Sequence, residues 1–161
     1  MRFFSDAEFG VTAPEITLVS VGVVAEDGRE YYAVSSEFDP LAVHPWVRDN
    51  VLPQLPATAT WKPRSRIRDE LLAFLGEEPV LWAWYGAYDH VALCQLWGPM
   101  PALPRTLPRF TLDVRQLWEH LGRPALPTQP SGLHDALADA RHCRRRWEVL
   151  AERAYALGLA V

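Results

Sequence analysis

Four carboxylates and one imidazole stand out by residue type and spacing. Asp6 and Glu8 are two apart in the apolar run FFSDAEF, so in an extended chain both project from one face. Burying an unpaired charge on such a strand is expensive, which leaves a salt bridge, an exposed edge or a bound cation as the reason for the pair. Asp89 follows the apolar run PVLWAWY after the turn Tyr85-Gly86-Ala87-Tyr88. That places it at the carboxyl end of a central strand, where sites in open α/β sheets collect; taken alone, it reads better as a helix cap. His134 and Asp139 lie five apart at the start of the last helical segment. Asp135 is the better N-cap there, which puts Asp139 inside the first turn, where the helix dipole favours a carboxylate. Oxygen-rich, thiol-free sets suit hard divalent cations, and an imidazole accepts a proton near neutral pH. Each residue alone has a structural explanation; the ordered set, Asp-x-Glu, then Asp, then His-x4-Asp, is what points to a cation-assisted active site.

The elements that must position this set follow from periodicity. Residues 2–6 predict a first strand, and the β-branched run 16–25 a strand buried on both faces. Asp27-Gly28 is a hairpin signal, and Glu30 to Phe38 alternates as a third strand. Helices are predicted over 42–52 and 65–76, with Ser65 as the N-cap of the second. A strand at 79–85, a helix at 89–97, and a brief strand running into a helix over 110–121 follow. The proline-rich segments 99–109 and 124–130 read as loops, the first an ordinary connection and not a domain linker. A long helix over about 133–157 carries the stripe Leu133, Ala136, Leu137, Ala140, Cys143, Trp147, Leu150 and Ala154. The order predicts one α/β domain over residues 1–161 with a mixed sheet.

Composition narrows the function classes. The 161 residues are 49% hydrophobic and include seven Trp, enough apolar surface for one self-sufficient core. The formal net charge of −4 argues against broad neutralisation of nucleic-acid phosphate by basic side chains. It leaves room for a nuclease, because carboxylates can hold cations that meet the phosphate. Lys62 is the only lysine; coding bias explains that preference for arginine better than phosphate recognition. Cys94 and Cys143 lack zinc spacing and are expected as buried free thiols. Without a hydrophobic segment of spanning length, the chain is expected to be soluble and cytoplasmic. His44, His90, His120 and His142 are expected to be structural or surface residues, Trp82 and Trp97 core.

The acid and histidine motifs resemble those of the DEDDh 3'-5' exonucleases of ribonuclease H-like fold. More narrowly, FFSDAEF, SVGVVAEDGREYYAVSSEFDP, LWAWYGAYDHVALCQLWGPM and HDALADAR are similar to the small bacterial polyadenylate-specific exoribonucleases, over nearly the whole chain. The resemblance implies a five-stranded mixed sheet, its first three strands antiparallel, flanked by helices. It implies two Mg²⁺ per site, replaceable by Mn²⁺, with Asp6, Glu8 and Asp139 sharing one ion and Asp6 and Asp89 the other. His134 is then the general base that takes a proton from the attacking water. The implied substrate is single-stranded RNA with a free 3' end, adenosine-rich in the narrower group, released as nucleoside 5'-monophosphates; a homodimer is also implied. Glu8, Phe9 and His134 are expected beside the terminal nucleotide, with Trp84, Tyr85 and Tyr88 as further stacking surfaces. Phe9 stands where the wider family carries a small hydroxyl residue, and Ala7 is smaller than its usual choice. Arg141, Arg144, Arg145 and Arg146 are spaced either to attract a strand backbone or simply to solvate the last helix. Single-stranded DNA, short oligonucleotides, or a non-catalytic binding role are the alternatives; the last predicts a broken acid set, and all five positions are filled.

Overall fold

Two long antiparallel strands, β1 (Arg2–Thr12) and β2 (Glu15–Ala25), form the spine of the computed structural model, which describes residues 1–12 and 15–161. β3 (Glu30–Val34) pairs antiparallel with β2 through the turn at Gly28, whose φ of +91° favours glycine. On the other side β4 (Val80–Ala83) pairs parallel with β1, and β5 (Leu112–Asp113) parallel with β4. The sheet order β3-β2-β1-β4-β5 is the mixed five-stranded arrangement predicted. The helices are α1 (Pro45–Asn50), α2 (Arg64–Leu75), α3 (Ala87–Cys94), α4 (Val114–His120) and α5 (Ala136–Ala156). Among the described residues no helix is long and apolar enough to cross a membrane.

Strand alternation divides the core. Phe3 and Ala7 pack with Ile67 and Leu71 of α2 and Ala92 and Leu93 of α3. Phe4 packs instead with Trp82, Val114, Cys143 and Leu150, on the side of α4 and α5. Even positions of β1 therefore face α5, which carries Asp6 and Glu8 toward Asp139. Each fully buried Phe or Leu in these layers stabilises the fold by roughly 1.5–3 kcal/mol. Between Glu8 and Phe9 the β1–β2 register slips by one, and Val19 joins a third cluster with Val34, Phe38, Val47 and Val51.

Several local expectations are corrected by long-range contacts. β1 continues six residues past the predicted end at Asp6, because β2 pairs with it along its length. β3 stops at Val34, not Phe38, where Ser35 leaves to bridge Lys62. The 42–52 helix is shorter, α1 giving way to a 3-10 turn at Leu52–Gln54. Ser65 does not cap α2; the helix begins at Arg64, whose N–H donates to Glu37 Oε1 at 3.0 Å, a carboxylate from another part of the chain. The 79–85 strand ends at Ala83, because Tyr85 turns the chain with a φ of +62°. The predicted 89–97 helix starts at Ala87 and tightens into a 3-10 turn at Gln95–Trp97. Leu133 precedes α5 and is exposed. Leu103 and Leu107 pin the 99–109 loop into the core. The seven Trp fill space more than they offer surface: Trp82 is buried, Trp97 is half-buried against the first cluster, and Trp46 is the one counted among the exposed large side chains.

Candidate active site

The acid cluster forms where β1 outruns β4. Pairing of β1 with β4 ends at Phe4–Trp82, and beyond it the Ala7 N–H donates to Asp89 Oδ1 at 2.8 Å. Asp89 sits in the first turn of α3, which starts after Gly86 without a side-chain cap. It is thus aimed at β1 and does not cap its own helix. Its turn is tied down from β5: Asp113 accepts from the Tyr85 and Gly86 N–H groups while capping α4.

From the opposite side α5 brings Asp139. Asp135 caps the helix, accepting from the Ala138 N–H at 2.8 Å, as the sequence predicts. Asp139 follows in the first turn, and its Oδ2 accepts the His134 N–H at 2.9 Å. His134 lies before the helix, in left-handed backbone at φ +67°. Its ring meets Trp46 edge to face at 4.6 Å, and Gln54 holds the preceding carbonyl of Leu133. One side-chain atom each from Glu8, His134 and Asp139 lie within 4.8 Å of one another, so the imidazole stands beside the two carboxylates.

These acids repel each other. Burial, then Asp89, Glu8 and Asp139, hold the Asp6 carboxyl well above the usual carboxylate range. Glu8 is pushed up to about 8 by burial and by Asp139 and Asp89. Asp89 is pushed up to about 7, chiefly by burial, against the opposing pull of the Ala7 N–H. Among the described residues none of the ion pairs reaches Asp6, Glu8, Asp89 or Asp139. Buried like charges without a counter-charge are strongly unfavourable. An oxygen-rich donor set in that condition fits hard divalent cations.

The aromatic residues divide. Phe9 and Tyr88 stack with ring centres 5.9 Å apart, Tyr88 largely exposed, beside Glu8 and Asp89 in sequence. Tyr85 is also exposed, at 61%. Trp84 is half-buried against the second core cluster, with the Arg146 guanidinium 4.2 Å above its ring. Arg141 pairs with Glu30, and Arg144 with Glu148 and the carbonyls of Ala25 and Glu26; both are spent on the fold. Of the remaining histidines, His44 caps α1, His90 contacts Thr111 and Cys94, His142 is buried and His120 is exposed. Cys94 and Cys143 are free thiols, half-buried and buried.

Sequence reasoning missed Trp46, Gln54, Gln129 and Gly22. Trp46 and Gln54 touch the site from far along the chain and Gln129 from the loop just before it, and none carries a local pattern. Gly22, opposite Asp6 in β2, had a readable signal: a glycine inside a strand marks a close backbone approach.

Two 3'-5' exoribonucleases of Mycobacterium tuberculosis strains are each 57% identical to this chain over 156 residues, covering 93% of both sequences. Among solved structures, exonuclease I without ligand superposes with a TM-score of 0.69 at 14% identity, covering 97% of this chain and 43% of that one. Escherichia coli exonuclease I in complex with an oligonucleotide gives 0.63 at 13% identity, over 98% and 42%. The chain thus spans about two fifths of the exonuclease I chains it matches. No protein-family model matches. The fold is that of the ribonuclease H-like nucleases, the class to which the DEDDh exonucleases belong. Within that class, the chain belongs to the family of the mycobacterial 3'-5' exoribonucleases and is an enzyme.

Proposed function

We propose that this enzyme hydrolyses single-stranded RNA from a free 3' end, releasing nucleoside 5'-monophosphates, with divalent cations held by Asp6, Glu8, Asp89 and Asp139. The observation that carries the reading is the clustering of Asp89, Glu8 and Asp139 around Asp6, with His134 beside Glu8 and Asp139; three of the four carboxyls are raised above their usual range, and among the described residues none is ion-paired. Two cations, Mg²⁺ or Mn²⁺, would stabilise the charge that develops on the attacking and leaving oxygens. On the family resemblance, Asp6, Glu8 and Asp139 would hold one cation, and Asp6 with Asp89 the other. His134 takes the proton of the attacking water, with Trp46 bracing its ring and Asp139 its backbone N–H. The Phe9–Tyr88 pair supplies a platform for the terminal base, where stacking contributes about 1–3 kcal/mol per base. Adenosine-rich 3' ends are the proposed substrate, on the resemblance to the polyadenylate-specific enzymes.

End-labelled RNA and DNA homopolymers, digested with Mg²⁺, Mn²⁺ or EDTA, test this directly. Stepwise shortening of a 5'-labelled RNA that needs the cation, fastest on polyadenylate, is the expected pattern. Undiminished digestion in EDTA would sink the cation-dependent mechanism, and equal rates on all homopolymers the adenosine preference. His134→Ala is expected to lower kcat by about 10²–10⁴-fold, the usual contribution of a general base, with its circular dichroism spectrum unchanged. A folded His134→Ala enzyme within a few-fold of the wild-type rate would remove His134 from that role.

A further inference from the structure

Asp139 is gripped by two donors from outside its own helix. Its Oδ2 accepts the His134 N–H, and its Oδ1 accepts an amide N–H of Gln129 at 2.5 Å. The same Gln129 Nε2 donates to the Gly132 carbonyl at 3.2 Å, an oxygen that also accepts the Asp135 N–H. One side-chain amide in the second proline-rich loop therefore joins a carboxylate of the site to the turn that presents the histidine. The turn needs such a tie. Gly132 and His134 both have positive φ, +71° and +67°, and a non-glycine residue stays there only where surrounding contacts over-determine it.

We infer that Gln129 is a positioning residue for the cation centre, orienting the Asp139 carboxylate toward Glu8 and fixing the 129–135 turn so that His134 remains beside both. The inference rests on the cation-dependent reading above. The choice of an amide is chemically specific. A glutamate here would add negative charge to a cluster already short of counter-charge, and a lysine or arginine would compete with the cation for Asp139. An amide donates without doing either. Hydrogen bonds that orient ligating groups typically contribute 10- to 100-fold in metal affinity.

Gln129→Met keeps the side chain's length and removes both donors. Mn²⁺ binding to the full chain without RNA, followed by electron paramagnetic resonance, is compared among wild type, Gln129→Met and Asp139→Asn. Wild type is expected to bind, Asp139→Asn to lose the tighter site, and Gln129→Met to bind about 10- to 100-fold more weakly. If Gln129→Met does not fold, Gln129→Asn, whose amide falls one methylene short, is expected to show the same weakening. Affinity within threefold of wild type in the folded variant overturns the role of Gln129 alone. Failure of the wild-type chain to bind Mn²⁺, or wild-type affinity in Asp139→Asn, overturns the cation reading beneath it.

Discussion

Asp6→Asn is expected to lower nucleotide release by roughly 10³-fold or more, as loss of one member of a catalytic unit does, and at the same time to raise the melting temperature of the metal-free protein. Asp6 lies at the centre of the cluster, repelled by Asp89, Glu8 and Asp139. It belongs to both proposed ligand groups, so an amide in its place weakens both. The stability effect has the opposite sign. Asp6, Glu8 and Asp89 are all raised in the folded state, so the folded chain keeps protons that the unfolded chain releases. Their contribution to stability is complete below the ordinary carboxylate range and is lost as pH rises through about 7 for Asp89 and about 8 for Glu8. In EDTA the wild-type protein should therefore melt at lower temperature at about pH 8 than at about pH 5.5, and the Asp6→Asn variant should lose less across that interval. Mg²⁺ binds the folded form and should restore the wild type at the higher pH more than it restores the variant. Thermal melts at both pH values, with and without Mg²⁺, read all three effects. A variant that keeps the wild-type rate, or melts below wild type in EDTA at the higher pH, contradicts this account of Asp6.

Gly22→Ala should damage both stability and activity from a position that touches no substrate. A methyl group there would lie 2.3 Å from the Ala136 carbonyl oxygen, 2.4 Å from its carbon and 2.5 Å from Leu137 Cα. All three are backbone atoms at the start of α5, so no side-chain rotation relieves the clash. The helix must lift from the sheet, and its first turn carries Asp139. Overpacking of a core typically destabilises by about 1–3 kcal/mol, and a backbone-to-backbone approach belongs at the upper end of that range or beyond. Displacement of Asp139 by about 1 Å from Asp6 and Glu8 is expected to lower the rate by roughly 10²-fold. Urea denaturation and the nucleotide-release assay measure the two effects. A variant of wild-type stability and rate would show that α5 does not need this close approach.

The site was legible in the sequence to the extent that its logic is local. Asp6 and Glu8 share a face because strand side chains alternate, and that reading holds as far as the register slip after Glu8. Asp135 caps α5 and frees Asp139 for the first turn, a relation spanning four residues. Capping of α2 failed as a local reading, because the carboxylate that receives the Arg64 N–H is Glu37, well upstream. Asp89 looked like a cap and proved to be a brace for Ala7 across the sheet edge.

Five residues of three types in a fixed order were thus determined by the sequence alone, together with the strand and helix periods that present them and the resemblance they carry. Where those five meet was decided by the tertiary structure. The absence of a side chain at Gly22 lets α5 close on β2, β4 ends early enough to leave the Ala7 N–H to Asp89, and Trp46 and Gln54 hold the histidine turn. Each of these is a contact between segments far apart in the chain, and spacing along a sequence carries no record of which distant atoms fill the remaining hydrogen bonds and volume.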